Sequence, residues 1–449
     1  MNLKNKKVLV YGLGKSGLAV YDLLKKLRAK VYTYDEFKFP NKELNIDLKS
    51  LDFAVISPGV PKNTQVYQNL TKCGVKMISE VEFAFYFLKG EVISITGTNG
   101  KTTTVSLIGE IFKNQMPKKR VFVAGNIGLP ISKIVTKTKP KTISILELSS
   151  FQLELIENFH SNIVVILNLA PDHLDRYENF EEYISAKFNI LKNLKDDDKV
   201  VLNYNDKILK TLNLLNTYYF SINNEEDNTS FCGVFLKDKN VFFKDGKIEY
   251  LVNINNIKLL GEKNIENVLA AVLAAKLKNL DMAKVQKTID SFMPLANRLE
   301  IVKKEGNIIY INDSKATNVA SAISDINAIK QSFVLILGGS DKGEDFLLLA
   351  ESLSKNKFLK QIVVCGQTKQ KICEALKKCN LNFEVAKNFK AAVLYAIDFA
   401  KNFGGEISVL LAPACASFDE FSSYNERGQA FKKYVYEGDK WKPLKQKKD

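Results

Sequence analysis

Short apolar runs alternate with helical patterns along nearly the whole of this 449-residue chain. Near the start, for example, the apolar run Lys7–Tyr11 precedes a glycine-rich loop and a helical pattern at residues 16–27. Two strands can pair in parallel only when a long crossover, usually a helix, connects them. Strands that alternate with helices are therefore expected to pair in parallel. The order therefore predicts an α/β fold whose sheets are mostly parallel.

The strand-like runs fall into three blocks, which we predict to be domains at residues 1–89, 90–293 and 294–449. At roughly 100–200 residues per domain, the chain length is compatible with this division. The predicted strands lie at residues 7–11, 31–34 and 53–57, at 92–96, 121–124, 143–147 and 163–168, and at 308–312, 334–337, 362–365 and 409–412. The lysine-rich residues 441–449 are expected to fray.

The composition indicates a globular protein of the cytoplasm. Hydrophobic residues make up 46% of the chain, so each domain can bury a core. No apolar run reaches the roughly 18 residues of a membrane span, and the short run after the basic N-terminus is a strand rather than a secretion signal. The net charge of +15 comes mainly from dispersed lysines, which indicates a solvated surface rather than a nucleic-acid site and also suits an acidic substrate such as a nucleotide.

The cysteine and histidine content argues against a structural zinc site. No two cysteines form a CxxC pair, and the chain has only two histidines, His160 and His173. In a cytoplasmic chain such scattered cysteines are expected to be free thiols. They are Cys73, Cys232, Cys365, Cys373, Cys379 and Cys415.

Residues 96–103, with the sequence TGTNGKTT, form the strongest single motif. The motif follows a predicted strand and opens a predicted helix at 102–112, a layout that surrounds a phosphate with backbone N–H groups and a helix N-terminus. Lys101 would reach the outer phosphates, and Thr102 or Thr103 would supply a hydroxyl to Mg²⁺. The general pattern GxxxxGK[ST] requires a glycine at position 95, where this chain has Ile95, so a plain glycine turn stays an alternative.

Polar and acidic residues follow two later strands. Glu147 ends the apolar run at 143–147, and Asn168 ends the run at 163–168, shortly before His173. Ligands of open parallel sheets bind beyond the carboxyl ends of the strands. We therefore expect Glu147 to hold Mg²⁺ beside the glycine loop. A lone histidine is more often a surface or core residue, but the place of His173 after a strand end favours contact with a second metal or the substrate.

A second glycine loop, GLGKSG at residues 12–17, joins the first predicted strand to the first predicted helix. Asp35 ends the next strand, about where an acidic residue binds a ribose in dinucleotide sites. The loop requires only a phosphate or diphosphate near the helix N-terminus. A dinucleotide and a UDP group satisfy this requirement equally well.

Together these motifs resemble the Mur ligase family, whose own version of the 96–103 loop lacks the glycine at 95. The resemblance extends over essentially the whole chain and implies a Rossmann-like N-terminal domain, a central P-loop-type ATPase domain and a Rossmann-like C-terminal domain. The segments that carry it are GLGKSG at 12–17, SPG at 57–59, TGTNGKTTT at 96–104, GNIG at 125–128, ELSSFQLE at 147–154, NLAPDHLDRY at 168–177, NDSKATN at 312–318, GGSDKGEDF at 338–346 and APACASFDEFSSYNERG at 412–428.

Within the family, the loop with Asp35 and the stretch DSKATN at 313–318 fit the member that adds D-glutamate. The resemblance thus implies an ATP-dependent ligase that adds D-glutamate to UDP-N-acetylmuramoyl-L-alanine through an acyl phosphate, in peptidoglycan precursor synthesis. It implies a monomer that binds these small molecules and neither nucleic acid nor membrane. Three alternatives stay open: a family ligase for another amino acid, an NAD-dependent oxidoreductase built on residues 12–17, and a non-catalytic nucleotide switch.

The resemblance also implies residue roles. For ATP these are Gly97, Thr98, Asn99, Gly100, Lys101, Thr102, Thr103, Asn267, Arg298, Asp313 and Lys315. For two Mg²⁺ ions they are Thr102, Thr103, Glu147, His173 and Lys187, where the lysine is one that the family carbamylates. The catalytic set is Lys101, Glu147, His173, Lys187 and Lys315.

The remaining implied roles concern the other two substrates. The UDP-substrate residues are Gly14, Ser16, Gly17, Asp35, Ser57, Gly59, Asn126, Ser149 and Gln152. The D-glutamate residues are Lys342, Ser417 and Tyr424, where a lysine and a hydroxyl would receive the carboxylates.

Four positions depart from the family's usual spelling. Lys263 stands where histidine is frequent, Asn297 precedes Arg298 in place of a histidine, and Tyr424 replaces a frequent phenylalanine. The residues around Lys342, GGSDKG at 338–343, also differ from the family's common sequence. These departures change residues expected at the nucleotide contacts and in the D-glutamate pocket, but they remove no catalytic group.

Overall fold

Three β-sheets, built mostly from parallel strands with helices between them, confirm the predicted α/β class. The computed structural model describes residues 2–39, 44, 46–117, 120–173, 176–341 and 343–437. The expected fraying of residues 441–449 lies outside the described residues.

The first sheet contains four parallel strands in the order β2-β1-β3-β4. Its core strands are apolar on both faces, as expected of a parallel sheet that is covered by helices. The strands are β1 (Lys7–Tyr11), β2 (Lys30–Tyr34), β3 (Phe53–Ile56) and β4 (Met77–Ser79). The helices are α1 (Lys15–Lys26), α2 (Gln65–Lys72) and α3 (Glu80–Phe85).

The second sheet has nine strands in the order β13-β12-β11-β10-β9-β8-β5-β7-β6. They are β5 (Glu91–Thr96), β6 (Val121–Gly125), β7 (Ile143–Glu147), β8 (Ile163–Ile166), β9 (Lys199–Asn203), β10 (Thr217–Ser221), β11 (Gly233–Lys237), β12 (Asn240–Asp245) and β13 (Lys247–Asn253). The helices are α4 (Lys101–Lys113), α5 (Ile131–Ile134), α6 (Ser150–Leu153), α7 (Phe180–Phe188), α8 (Glu262–Leu277) and α9 (Met282–Ser291). The predicted strand at 163–168 was too long, because β8 ends at Ile166 and Asn168 lies in the following loop.

The first two sheets share one apolar core. Val8 and Val55 of the first sheet belong to the same buried cluster as Leu146 and Val164 of the second. Helices α1 and α3 both pack against α5, which places apolar side chains between the sheets. These residues accordingly form one compact unit, which comprises Met1–Leu169, Arg176–Ile257 and Ile265–Phe292.

The third sheet has six strands in the order β14-β15-β19-β16-β17-β18, and only the β14–β15 pair is antiparallel. Alternate residues of β16 enter two buried clusters, with Leu335 and Leu337 in one and Val334 and Ile336 in the other, so both faces are covered. The strands are β14 (Glu300–Glu305), β15 (Ile308–Asn312), β16 (Phe333–Gly338), β17 (Leu359–Cys365), β18 (Glu384–Val385) and β19 (Ile407–Leu411). The helices are α10 (Val319–Ala328), α11 (Phe346–Ser354), α12 (Lys369–Lys378), α13 (Phe389–Asn402) and α14 (Tyr424–Glu437).

This sheet lies in a second compact unit, which comprises Ala170–Asp175, Lys258–Asn264 and Met293–Asp449. The three sheets fall within the three predicted sequence blocks, but compactness divides the chain into two units, so the assignment of three functional domains stays a prediction. In the part of the chain that the structure describes, no helix combines the length and apolar character of a membrane crossing.

Candidate active site

The carboxyl ends of β5, β7 and β8 bring the central motifs together. In the register of β5 and β7, Ile95 lies opposite Glu147, and Leu148 N donates to Ile95 O at 2.9 Å. Thr96 Oγ1 donates to Leu148 O at 2.8 Å. The predicted glycine loop and the predicted metal carboxylate therefore leave the sheet side by side, as the parallel order requires.

Asn168 fixes the glycine loop from the neighbouring strand end. Its Oδ1 accepts from Asn99 N at 2.8 Å, and its Nδ2 donates to Asn99 O at 3.1 Å. Thr98 N donates to the backbone oxygen of Asn168 at 2.9 Å. Two of the loop N–H groups that the sequence assigned to phosphate are thus engaged within the protein, and they give the loop a defined shape.

Gly100 is the N-terminal cap of α4 and requires glycine for two reasons. Its φ of 83° lies in the left-handed region, which side chains with a Cβ rarely adopt. A Cβ at this position would also lie 2.2 Å from Asn267 Oδ1. The same Oδ1 accepts from Thr104 Oγ1 at 3.1 Å, so Asn267 supports the loop from α8. The structure thus places the predicted ATP residue Asn267 against the predicted phosphate loop.

Two lysine ammonium groups converge on this loop. Lys101 Nζ lies 2.7 Å from both Gly97 O and Thr98 O, and Lys187 Nζ lies 3.0 Å from Gly97 O. Lys187 is 1% exposed, and its Nζ lies 4.4 Å from the centre of the Tyr183 ring. Two cations beside one helix N-terminus favour a polyanionic ligand such as a nucleotide phosphate.

Glu147 presents one uncommitted carboxylate oxygen at the same sheet edge. It is 1% exposed, and its Oε1 accepts from Asn126 Nδ2 at 2.8 Å. No donor among the described residues reaches its other oxygen, Oε2. A buried carboxylate oxygen without a partner is costly, whereas a hard divalent cation is well served by carboxylate and hydroxyl oxygens. The uncommitted oxygen of Glu147 therefore fits Mg²⁺, while the metal roles of Thr102 and Thr103 stay predictions.

A cage of protein carboxylates is not present, since no group of three or more acidic, histidine or cysteine side chains in the described ranges could hold a metal ion. Mg²⁺ in nucleotide sites commonly takes one or two protein oxygens and completes its shell with phosphates and water. The donor set at Glu147 agrees with that type of site.

His173 belongs to the second compact unit, whereas Lys101, Glu147 and Lys187 belong to the first. Its backbone is in the left-handed region, with φ 57°, and its side chain is 33% exposed. His173 N donates to Asp172 Oδ1 at 3.0 Å, and Asn318 Nδ2 donates to Asp172 Oδ2 at 3.2 Å. The DHLD and NDSKATN motifs are thus joined through Asp172 and Asn318, while the metal role of His173 stays a prediction.

The first glycine loop is held by the residues that the sequence assigned to a UDP group. Asp35 Oδ2 accepts from Leu13 N at 2.6 Å, and its Oδ1 accepts from Phe37 N and Lys38 N. Ser57 Oγ donates to Gly12 O at 2.7 Å. Asp35 and Ser57 therefore shape the loop. Within the loop Gly14 is exposed, Ser16 is partly exposed and Gly17 is buried, and in the SPG segment Gly59 is exposed.

Ser149 and Gln152 form a capping box at the start of α6. Gln152 N donates to Ser149 Oγ at 3.3 Å, and Ser149 N donates to Gln152 Oε1 at 3.1 Å. Gln152 is buried, so its observed contacts are those of a helix cap. A contact between Gln152 and a UDP substrate stays a prediction.

The sequence interpretation gave no role to Arg176, although the residue links two substrate segments. Its guanidinium donates to both oxygens of Glu154, at 3.2 and 2.9 Å, and to Pro58 O and Val60 O at 3.2 Å. It therefore ties the SPG loop to the segment that contains α6. The sequence carried a signal for this residue, because only five of the 65 basic residues are arginines and Arg176 lies within the NLAPDHLDRY segment at 168–177.

In the second unit, Asp313 and Asp325 form an acidic pair near Arg298. Burial raises the pKa of the Asp313 carboxyl, while Arg298 opposes that shift. Burial and the neighbouring Asp313 raise the pKa of Asp325 well above its ordinary value. Two adjacent carboxyl groups in a dry site favour retention of a proton.

Lys315 lies over the ring of Tyr424, with Nζ 4.2 Å from the ring centre, so a predicted ATP residue and a predicted D-glutamate residue are in contact. Ser417 is buried in the loop after β19. The third predicted D-glutamate residue, Lys342, lies outside the described residues.

Asn297 has a structural role that explains one departure from the family spelling. It is 2% exposed, and its Oδ1 accepts from Asn312 Nδ2 at 2.9 Å while its Nδ2 donates to Asn425 Oδ1 at 3.0 Å. The compact amide thus joins β15 to α14. Lys263, by contrast, is exposed.

Comparison with known families agrees with this geometry. The model of the Mur ligase middle domain matches residues 95–275, and that of the Mur ligase, glutamate ligase domain, matches residues 297–415. The chain belongs to the Mur ligase family. The resemblance inferred from the motifs is therefore confirmed, and the chain is a ligase rather than an oxidoreductase built on residues 12–17.

Similar members of the Mur ligase family cover nearly the whole chain. A UDP-N-acetylmuramoylalanine–D-glutamate ligase of Thermoanaerobacter pseudethanolicus is 38% identical over 97% of this chain and 99% of its own length. The enzyme of that name from Clostridioides difficile is 37% identical with the same coverage. A solved pseudomurein peptide ligase type C from Methanothermus fervidus shares the fold, with a TM-score of 0.60 and 21% identity over 96% of this chain and 100% of its own.

Proposed function

We propose that this chain adds D-glutamate to UDP-N-acetylmuramoyl-L-alanine with consumption of ATP, as a step in peptidoglycan precursor synthesis. The observation that carries the proposal is the sheet edge that holds both the Gly97 carbonyl, on which Lys101 and Lys187 converge, and the uncommitted oxygen of Glu147. Such an edge suits the transfer of a phosphoryl group to a carboxylate. The relatives named for D-glutamate addition support the choice of substrates.

Lys101 would hold the β- and γ-phosphates of ATP, with the start of α4 beneath them. Glu147, Thr102 and Thr103 would hold Mg²⁺, which neutralises phosphate charge when it is bound. Carbamylation of Lys187 would replace a buried cation with an anionic ligand, and a second Mg²⁺ would lie at His173. Asn267 and Arg298 complete the proposed nucleotide contacts.

The proposed chemistry overcomes the poor leaving ability of a carboxylate oxygen. The L-alanine carboxylate attacks the γ-phosphorus, the bond to ADP breaks, and Lys101 and Lys315 stabilise the charge on the transferring group. The amine of D-glutamate then attacks the acyl carbon, and phosphate leaves with the former carboxylate oxygen. Water must be excluded while the acyl phosphate exists, since hydrolysis would waste it.

The remaining assignments follow from this reaction. Residues 1–89 would bind the UDP group, residues 90–293 would bind ATP, and residues 294–449 would close on ATP and bind D-glutamate through Lys342, Ser417 and Tyr424. Asp313 would contact the ribose. All substrates are small cytoplasmic molecules, so we expect a cytoplasmic monomer without nucleic-acid or membrane partners.

Phosphate release with a panel of amino acids tests the proposal. The protein is incubated with ATP, Mg²⁺ and UDP-N-acetylmuramoyl-L-alanine, and D-glutamate, L-glutamate, L-lysine, meso-diaminopimelate and D-alanine are offered separately. Release with D-glutamate alone is expected. Release with a different amino acid would move the chain to another specificity within the family, and no release with any of them would refute the proposal.

Two lysines of α4 provide a second test and its matched control. Lys101→Ala should abolish phosphate release and leave the affinity for the UDP substrate unchanged. Lys113→Ala, at the far end of the same helix, should retain normal turnover, because Lys113 forms its ion pair with the exposed Glu110.

A further inference from the structure

Arg427 is the largest fully buried side chain among the described residues, at 2% exposure. Its Nε donates to Ser314 Oγ at 3.0 Å, and its Nη2 donates to Ser314 O and Cys415 O, both at 2.9 Å. Its Nη1 donates to Ala416 O at 3.0 Å and approaches Gly338 O at 3.5 Å. All five acceptors are backbone or hydroxyl oxygens, so the guanidinium serves as a hub for polar backbone groups rather than as half of an ion pair.

The acceptors lie at the carboxyl ends of three strands that are neighbours in the third sheet, in the loops after β15 and β19 and at Gly338, the last residue of β16. These loops carry Lys315, Ser417 and the glycine segment before Lys342. The guanidinium also explains Gly339, whose φ is 150°, because a Cβ there would lie 2.9 Å from Arg427 Nη1 and 2.0 Å from Ala416 O. One side chain therefore fixes the spacing of three loop ends.

A hydrogen-bond chain extends this arrangement to Tyr424, which lies one helical turn before Arg427 on α14. Ser314 Oγ accepts from Arg427 and donates to Tyr424 O at 2.8 Å. Lys315, next to Ser314, lies over the Tyr424 ring. The proposed D-glutamate residues and the proposed ATP residue Lys315 are thus connected through Ser314 and Arg427.

The chemistry of the hub requires arginine rather than lysine. Burial lowers the pKa of Arg427 only to about 10, so the group is a cation at neutral pH. A guanidinium offers five donors in a rigid plane, whereas an ammonium offers three donors from one point. The chain uses lysine for almost every cation and has only five arginines, which makes an arginine at this position informative.

We propose that Arg427 is a positioning residue that holds Ser417, Tyr424 and Lys315 in one arrangement and so sets the affinity for the incoming amino acid without contacting a substrate. The proposal rests on the function proposed above. The UDP group is assigned to the first compact unit, so its binding should not depend on Arg427.

Steady-state kinetics of Arg427→Lys and Ser314→Ala test the proposal. Arg427→Lys keeps the charge and loses the planar fork, and Ser314→Ala removes one link without changing the cation. Both should raise the KM for D-glutamate about tenfold or more and lower kcat, since small misplacements of a reacting group cost up to about a hundredfold. The KM for the UDP substrate should change less than about twofold. Lys432→Ala, on the same helix, serves as the control and should keep all constants unchanged, because Lys432 pairs with Glu300 on the edge strand.

A purely structural role would appear as a lower thermal midpoint and a smaller active fraction with an unchanged KM for D-glutamate, and this result would overturn the proposal. If Arg427→Lys does not fold, the KM of Ser314→Ala decides in the same way. A wild-type enzyme that rejects D-glutamate would refute the proposed function alone. The positioning role would then be judged by the KM for the amino acid that the wild type accepts.

Discussion

Lys101 and Lys187 direct their ammonium groups at the same atom, the carbonyl oxygen of Gly97, from 2.7 and 3.0 Å. One lysine opens α4 and the other lies near the end of α7, about 86 positions later in the chain, so only the folded sheet edge makes them neighbours. In the unmodified chain two ammonium groups therefore meet at the proposed phosphoryl-transfer site, and carbamylation of Lys187 would leave Lys101 as the cation there. The two lysines should nevertheless respond differently to substitution.

Lys187→Ala should lose about 100-fold or more in phosphate release, since the residue is proposed to act as a carbamylated metal ligand. A short carboxylate such as acetate should restore part of that loss by replacing the carbamate. Restoration by methylammonium instead would show that the residue acts as a cation. Lys192→Ala, in the turn after α7, should behave as the wild type in the same assay.

Glu147→Gln should raise the Mg²⁺ concentration for half-maximal phosphate release by about tenfold or more, because an amide oxygen binds a hard cation more weakly than a carboxylate. The matched control is Glu80→Gln. Glu80 is also buried, accepts from Ser132 N at 2.6 Å, and has a second oxygen that no described donor reaches. Burial raises the pKa of Glu80, so its amide variant should fold and keep the normal Mg²⁺ dependence. An unchanged requirement in Glu147→Gln would contradict the metal assignment.

Gly100→Ala should raise the KM for ATP about tenfold or more. The left-handed backbone costs a residue with a Cβ about 1–2 kcal/mol, and the methyl group would also displace Asn267 from the loop. Gly74→Ala separates these effects, because Gly74 has φ 67° and open space around its Cβ position. Gly74→Ala should lower the urea midpoint slightly with a normal KM for ATP. Equal KM values in both variants would show that the contact with Asn267 does not matter.

Asp325→Asn should stabilise the folded chain at neutral pH, with a gain that shrinks as the pH falls. The pKa of Asp313 and of Asp325 is raised by folding, so the folded state binds more protons than the unfolded state. The pair's stabilising contribution is present below the ordinary carboxyl pKa of about 3.9 and is lost as the pH rises through the raised values. Urea midpoints between pH 4 and 8 measure this trend, with Asp398→Asn on α13 as the control. A constant difference between Asp325→Asn and the wild type across that range would contradict the shared-proton arrangement.

The fold class and most strands were predictable because each depends on local pattern. A parallel strand that is covered on both sides is apolar throughout, and its helix follows at a short distance, so β1, β5, β7 and β15 were located within about one residue of their observed bounds. Loop ends were less predictable. The sequence predicts a strand that continues to Asn168, because the apolar run continues beyond Ile166. In the structure β8 ends at Ile166, the last residue that pairs with the neighbouring strands.

The sequence by itself determined the family, the α/β class and the chemical types at the site: a phosphate loop, a carboxylate and lysines at strand ends. Only the tertiary structure determined which hydrogen-bond partners those groups have. It showed that Asp35, Ser57, Gln152 and Asn297 are held by protein partners, that Glu147 keeps one oxygen uncommitted, and that Lys187 meets Lys101 at Gly97. It also revealed Arg427 as the hub of three loops. The reason is physical: a motif records which donors and acceptors are present, but their partners come from distant segments that only the folded sheet brings within hydrogen-bond distance.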